Sequence, residues 1–153
     1  MSLTVFLDAG PLGLVTNPKR SPETIAASLW VINMEAAGHR FIVPAIADYE
    51  VRRELIRAGK LSGITRLNKF NAAEPDRFLS VTDSSLLLAA DLWARARSAG
   101  TPTADPKELD ADVLIAAQAL DTGLPNIEFI IATVNVGHLA LFAPADEWTN
   151  IKP

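Results

Sequence analysis

Three carboxylates stand where an apolar chain has little structural reason to place them. Asp8 follows the apolar run Leu3-Thr4-Val5-Phe6-Leu7. Glu50 has Ile46, Ala47 and Leu55 near it at helical spacing, and Asp112 leads into Val113-Leu114-Ile115-Ala116-Ala117. A carboxylate at the end of a buried element is costly unless it meets a cation or strong donors. If the three meet, they repel one another, which raises their pKa values or calls for a cation. Hard oxygen donors in a chain without cysteine favour Mg2+ or Mn2+. Such a site can orient a phosphodiester, polarise its oxygen and lower the pKa of an attacking water, which is nuclease chemistry. Each acid also has an ordinary use on its own: Asp8 in an Asx turn, Glu50 in a surface ion pair, Asp112 against a helix dipole.

The elements that must position these acids follow from periodicity and punctuation. Leu3–Leu7 reads as a short buried strand ending in a loop, Asp8-Ala9-Gly10-Pro11, so Asp8 falls at a strand's carboxyl end. Ser21-Pro22-Glu23-Thr24 supplies a cap, a helical proline and a first-turn acid. Ile25, Leu29, Ile32 and Ala36 then form the expected apolar stripe of a helix closing before Gly38. Phe41–Val43 is a second strand, Ala45–Ala58 a helix containing Glu50, and Ile64–Ala73 a further helical stretch. Phe78–Val81 reads as a third strand and Ser85–Ala99 as a helix. A polar loop spans Thr101–Glu108, a helix runs from about Asp110 to Thr122, and Glu128–Ala132 is the last strand. Strands alternating with helices predict an α/β protein, a parallel sheet covered on both faces, with ligands outside the strands' carboxyl ends. Both Asp8 and the turn Thr133-Val134-Asn135 belong there.

Asp110 and Asp112 differ in role. At about 100° per residue they lie roughly 200° apart on a helix. Asp110 suits an N-cap or an approach from the preceding loop, whereas Asp112 shares the inward face with Ile115 and Ala116, at the positive end of the helix. Asp48, Arg52 and Arg53 fall away from the inward stripe that carries Glu50.

Size and composition narrow the classes. The 153 residues, 49% hydrophobic and 21% charged, suit one globular domain spanning residues 1–153. The absence of cysteine excludes disulfides, thiolate zinc sites and a cysteine nucleophile. No apolar run is long enough to span a bilayer and the first residues carry no leader pattern, so a cytoplasmic location is expected, with no membrane partner. A net charge of −4 is unlike that of general polyanion binders. The locally basic segment holding Arg52, Arg53, Arg57, Lys60, Arg66 and Lys69 against Glu54 reads first as a solvated helix face. Only His39 and His138 are available for a serine triad, Gly10-Pro11-Leu12-Gly13 is a poor phosphate loop, and Gly10 stands where an aspartyl phosphatase would want a second acid.

At these residues the sequence resembles the PIN-domain family, and within it the VapC-like ribonuclease toxins of toxin–antitoxin pairs. The landmarks are Val5-Phe6-Leu7-Asp8, the segment from Ala47 to Leu55 around Glu50, the helix Asp112–Ala119, and Ala132-Thr133-Val134-Asn135-Val136-Gly137-His138-Leu139, in the family's order. The resemblance implies a three-layer α/β/α sandwich with a central parallel sheet. It implies a Mg2+- or Mn2+-dependent endoribonuclease acting on RNA, a small antitoxin as partner, and a homodimer. By residue it makes Asp8, Glu50 and Asp112 the catalytic acids and metal ligands. Where family members often carry a further Asp, this chain has His138, so the fourth ligand falls to His138 or Asp110, with Thr133 and Asn135 as supporting hydrogen-bonding residues. The alternative is a noncatalytic PIN-like module that binds RNA or protein.

Overall fold

A computed structural model describes residues 1–100 and 106–153. Its centre is a five-stranded sheet: β1 (Thr4–Leu7), β2 (Arg40–Pro44), β3 (Phe78–Leu79), β4 (Phe129–Thr133) and β5 (Ala145–Glu147). The spatial order is β3-β2-β1-β4-β5, and every pairing is parallel. The middle strands are short and continuously apolar because both faces are covered, and all four residues of β1 are buried. Chain order reverses between β1 and β4, the point at which an open parallel sheet leaves a crevice beyond its carboxyl ends.

Six helices cover the sheet: α1 (Ala9–Thr16), α2 (Pro22–Ala36), α3 (Ala45–Arg57), α4 (Leu61–Ala72), α5 (Asp83–Ser98) and α6 (Pro106–Asp121). Right-handed crossovers from β1 to β2 to β3 put α1–α4 on one face, and the return to β4 puts α5 and α6 on the other. This is the PIN-like α/β/α sandwich. The main core joins both layers through Phe6, Leu7, Leu12, Met34, Leu67, Ile131 and Leu139, while Ala89, Ala96, Leu109, Val113 and Ala117 seal α5 against α6. Phe6 and Phe129 meet edge to face at 5.7 Å across the β1–β4 pair. No helix among the described residues is long and apolar enough to cross a membrane.

Several boundaries differ from those read off the sequence. The loop expected after Asp8 is α1, since a proline in a helix's first turn forfeits no hydrogen bond and Pro11 and Leu12 bury into the core. Strand β5 was not foreseen; its Ala-Asp-Glu has no apolar run and it is held by β4 alone. Strand β3 keeps only two of the four expected residues. Of the expected loop Thr101–Glu108, residues 101–105 lie outside the described residues and α6 takes the rest, starting at Pro106 rather than near Asp110.

Helix α2 has the expected N-cap at Ser21, completed as a capping box by Thr24, but turns the other way. Its buried face is Thr24, Ala27, Trp30, Val31 and Met34, whereas Leu29 and Ile32 are 52% and 61% exposed. Both stripes are apolar, so periodicity alone does not choose between them. The choice falls to the indole, which meets Phe41 edge to face and Trp148 at a tilt and donates from Nε1 to the Ile151 carbonyl at 2.8 Å.

Helix α3 also has a second packed side. Asp48 is buried, accepts two bonds from Arg52 at 2.9 and 3.1 Å and one from Asn71 of α4 at 2.8 Å. It lies off the stripe that carries Glu50, as expected, but in the buried α3–α4 contact. The start of α3 follows Pro44, which cannot cap it. Gln118, buried in α6, does so instead: its Oε1 accepts from Ile46 N at 3.4 Å and its Nε2 donates to the Leu79 carbonyl at 2.9 Å. Gln118→Leu leaves a helix N–H and a strand carbonyl unpaired. We expect a loss of about 1–3 kcal/mol, read as a lower urea midpoint at unchanged slope.

Candidate active site

The crevice is built outward from the β1–β4 pair. Register sets Leu7 opposite Ala132, and the next residue, Asp8, donates its N–H to the Ala132 carbonyl at 2.9 Å. Asp8 therefore leaves the sheet beside Thr133. Its Oδ1 caps α1 by accepting from Ala9 N at 2.8 Å, and its Oδ2 accepts from the Thr133 hydroxyl at 2.8 Å. Thr133, itself buried, accepts in turn from Asn135 N at 3.1 Å, which folds the turn back toward Asp8. The first turn of α1 lies against this turn: a Cβ placed on Gly10 would come within 2.7 Å of Val134 Cγ2. A side chain at this position would have to displace the exposed Val134 side chain.

Around this corner lies a cavity of about 320 Å³ lined by Asp8, Glu50, Asp112, Thr133, Asn135 and His138, among others. Glu50 enters from α3, Asp112 from α6, and His138 from the residue before the 3-10 turn Leu139–Leu141. Six of the seven residues singled out in the sequence thus border one space. The seventh, Asp110, is exposed and lines an adjoining cavity with Tyr49, Arg53 and Leu114.

Two expectations for these acids are corrected. Asp110 does not cap the helix, since α6 begins at Pro106 and places Asp110 within it. For the same reason Asp112 lies beyond the first turn, where the helix dipole has largely faded. The missed sequence signal was Pro106 with Glu108 shortly after it, a helix-opening pattern overlooked within a polar stretch. The helical face assigned to Asp112 survives the shift, because Ile115 and Ala116 are buried and Asp112 is half-buried beside the cavity.

The electrostatics are first those of buried carboxylates. Burial pushes the Asp8 pKa up, against the pull of the Thr133 and Ala9 hydrogen bonds. Burial also pushes Glu50 up, the negative charge of Asp8 adds to the effect, and Arg53 opposes it. Among the described residues no Lys or Arg forms an ion pair with Asp8 or Glu50. Nor are three Asp, Glu or His side chains already gathered among the described residues at ligating distance. The acids border the cavity without converging on a point. Their donor set, rich in carboxylate oxygen, fits a hard divalent cation better than any organic cofactor.

Both folded-state pKa values lie above the ordinary 3.8 and 4.5. Protons held by the native state therefore stabilise it below those values, and this contribution is lost as the pH rises through the raised ones. In metal-free protein, Asp8→Asn is expected to raise the thermal midpoint at neutral pH, with the gain shrinking on acidification. A gain independent of pH contradicts burial of the charge as the cause.

No family model and no curated protein matches the sequence. Solved structures do share its fold. A chain of VapBC2 from Rickettsia felis, bound to a DNA fragment from their promoter, aligns with a TM-score of 0.67 at 13% identity, covering 95% of this chain and 99% of that one. FitAcB from Neisseria gonorrhoeae aligns at 0.62 with 17% identity, covering 96% and 99%. DNA-bound VapBC from Salmonella typhimurium aligns at 0.60 with 17% identity, covering 95% and 98%. At such identities the similarity is one of fold. In fold, then, the chain is PIN-like and similar to chains of VapBC structures, as its sequence motifs led us to expect.

Proposed function

We propose that the protein is a metal-dependent endoribonuclease, using Mg2+ or Mn2+ and acting as the toxin of a toxin–antitoxin pair. The observation that carries this reading is the single crevice at the β1–β4 switch point, where Asp8, Glu50 and Asp112 arrive from three separate elements. Fold alone does not specify chemistry, and the site does. Asp8, Glu50 and Asp112 would hold the cation, with His138 at the rim in the place where the resembled family often has a fourth acid. When bound, the cation would supply Lewis-acid polarisation of the phosphodiester and make an attacking water more acidic.

The chain's own groups have separate tasks. The Thr133 hydroxyl and the Ala9 amide hold both Asp8 oxygens in a fixed orientation. Glu50 would face the same cation from α3, where the positive charge offsets the repulsion it feels from Asp8. Similarity to VapBC chains supports a small antitoxin as partner, and the resemblance supports a homodimer. RNA is favoured over DNA as substrate by that resemblance.

A competing reading, a noncatalytic PIN-like module that binds RNA or protein, is favoured by one observation: the described acids are not gathered at ligating distance. Titration calorimetry with Mn2+ separates the two readings. The nuclease should bind Mn2+ and lose it on acidification, and the module should not bind at millimolar Mn2+. Asp8→Asn and Asp112→Asn should each reduce Mn2+-dependent RNA cleavage at least about 100-fold while circular dichroism stays unchanged. Full activity in both variants overturns the assignment.

A further inference from the structure

Glu50 and Ala111 both border the acidic crevice and a neighbour of about 280 Å³ lined also by Ile46, Tyr49, Arg53, Asp110 and Leu114. The second cavity has a different character. Ile46 and Leu114 give it an apolar floor, both being half-buried. Tyr49 stands at its edge, 57% exposed, one residue before Glu50 on α3. The Arg53 guanidinium lies 5.2 Å from the centre of the Tyr49 ring. Among the described residues Arg53 makes no ion pair, in contrast to Arg52 with Asp48 and Arg57 with Glu54.

An exposed aromatic ring has little to gain from water, and a guanidinium stacked on it is held in a defined place while its charge stays available. We propose that Tyr49 and Arg53 form a nucleobase subsite for single-stranded RNA, flanking the phosphodiester that occupies the acidic crevice. This deepens the ribonuclease reading and rests on it. Tyr49 stacks the base adjoining that phosphodiester, and Arg53 takes the next phosphate. The Asp110 carboxylate at the cavity wall repels phosphate from the interior, so the base enters and the backbone stays on the Arg53 side. Stacking on one ring accepts any base, and a duplex cannot present an unstacked one, so the subsite selects strandedness before sequence.

Tyr49 is the only tyrosine in the chain, so tyrosine-selective isotope labelling gives one ring signal. The probe is a short single-stranded RNA of mixed sequence, added with Mg2+ to full-length protein carrying Asp8→Asn, which is not expected to cleave it. We expect the Tyr49 ring resonance to move upfield on addition of the single strand and to stay in place with the same RNA as a duplex. By fluorescence anisotropy, Tyr49→Ala should bind the single strand about 5- to 100-fold more weakly, and Tyr49→Phe should restore most of the affinity. Arg53→Gln should weaken binding and reduce its salt dependence by about one phosphate contact. An unmoved ring resonance at saturating RNA, or undiminished affinity in Tyr49→Ala, overturns the subsite. If wild-type protein cleaves no RNA yet the resonance shifts, the nuclease reading fails and the subsite stands. If cleavage persists in Tyr49→Ala with unchanged KM, the subsite fails and the nuclease stands.

Discussion

Parallel pairing of Thr4–Leu7 with Phe129–Thr133 is the constraint around which the rest of this molecule is arranged. Both strands are apolar and covered on both faces, so a one-residue slip would turn their buried sets onto the wrong layers, and register is held tightly. The contact of Phe6 with Phe129 adds shape to that specificity. Because register is held, the first residue after β1 must emerge beside the last residue of β4, and those residues are Asp8 and Thr133. A carboxylate in that position would be destabilising alone. One oxygen is satisfied by the amide that opens α1 and the other by the threonine hydroxyl, so the acid is retained in a fixed orientation while its pKa stays raised.

The other acids depend on helices braced from outside themselves. Helix α3 follows a proline that cannot cap it, and Gln118 reaches from α6 to supply the missing acceptor while also holding the end of β3. The same residue therefore ties the helix of Glu50 to the helix of Asp112. On its other side α3 is fastened to α4 by the buried Asp48 with Arg52 and Asn71. Such a network leaves little freedom for Glu50 to withdraw from Asp8, and their mutual repulsion persists in the folded state.

Much of this was legible in the sequence. Short apolar runs between amphipathic stretches sufficed for a parallel sheet between helical layers, and the acids at element ends, together with the turn after β4, pointed to the crevice. Less legible were elements whose local signals conflict. Helix α1 begins Ala9-Gly10-Pro11, a turn-like tripeptide, and becomes helical because Leu12 and Val15 find the core and Gly10 permits the approach of Val134. Strand β5 has no apolar run and exists through pairing with β4. The pairing of Tyr49 with Arg53 beside the crevice was hidden in a stretch that reads as solvated charge.

Local chemistry, then, was enough for the fold class, for most helix and strand positions, and for the acids that deserve attention, because hydrophobic period and the cost of buried charge are written in neighbouring residues. It could not rank the two apolar stripes of α2, place Asp48 inside and Asp110 outside, or say which residues share a cavity. Those outcomes depend on groups far apart in the chain: Trp30 against Trp148, Asp48 against Asn71, Asp8 against Thr133. A contact between residues 23 to 125 positions apart leaves no trace in the spacing of either.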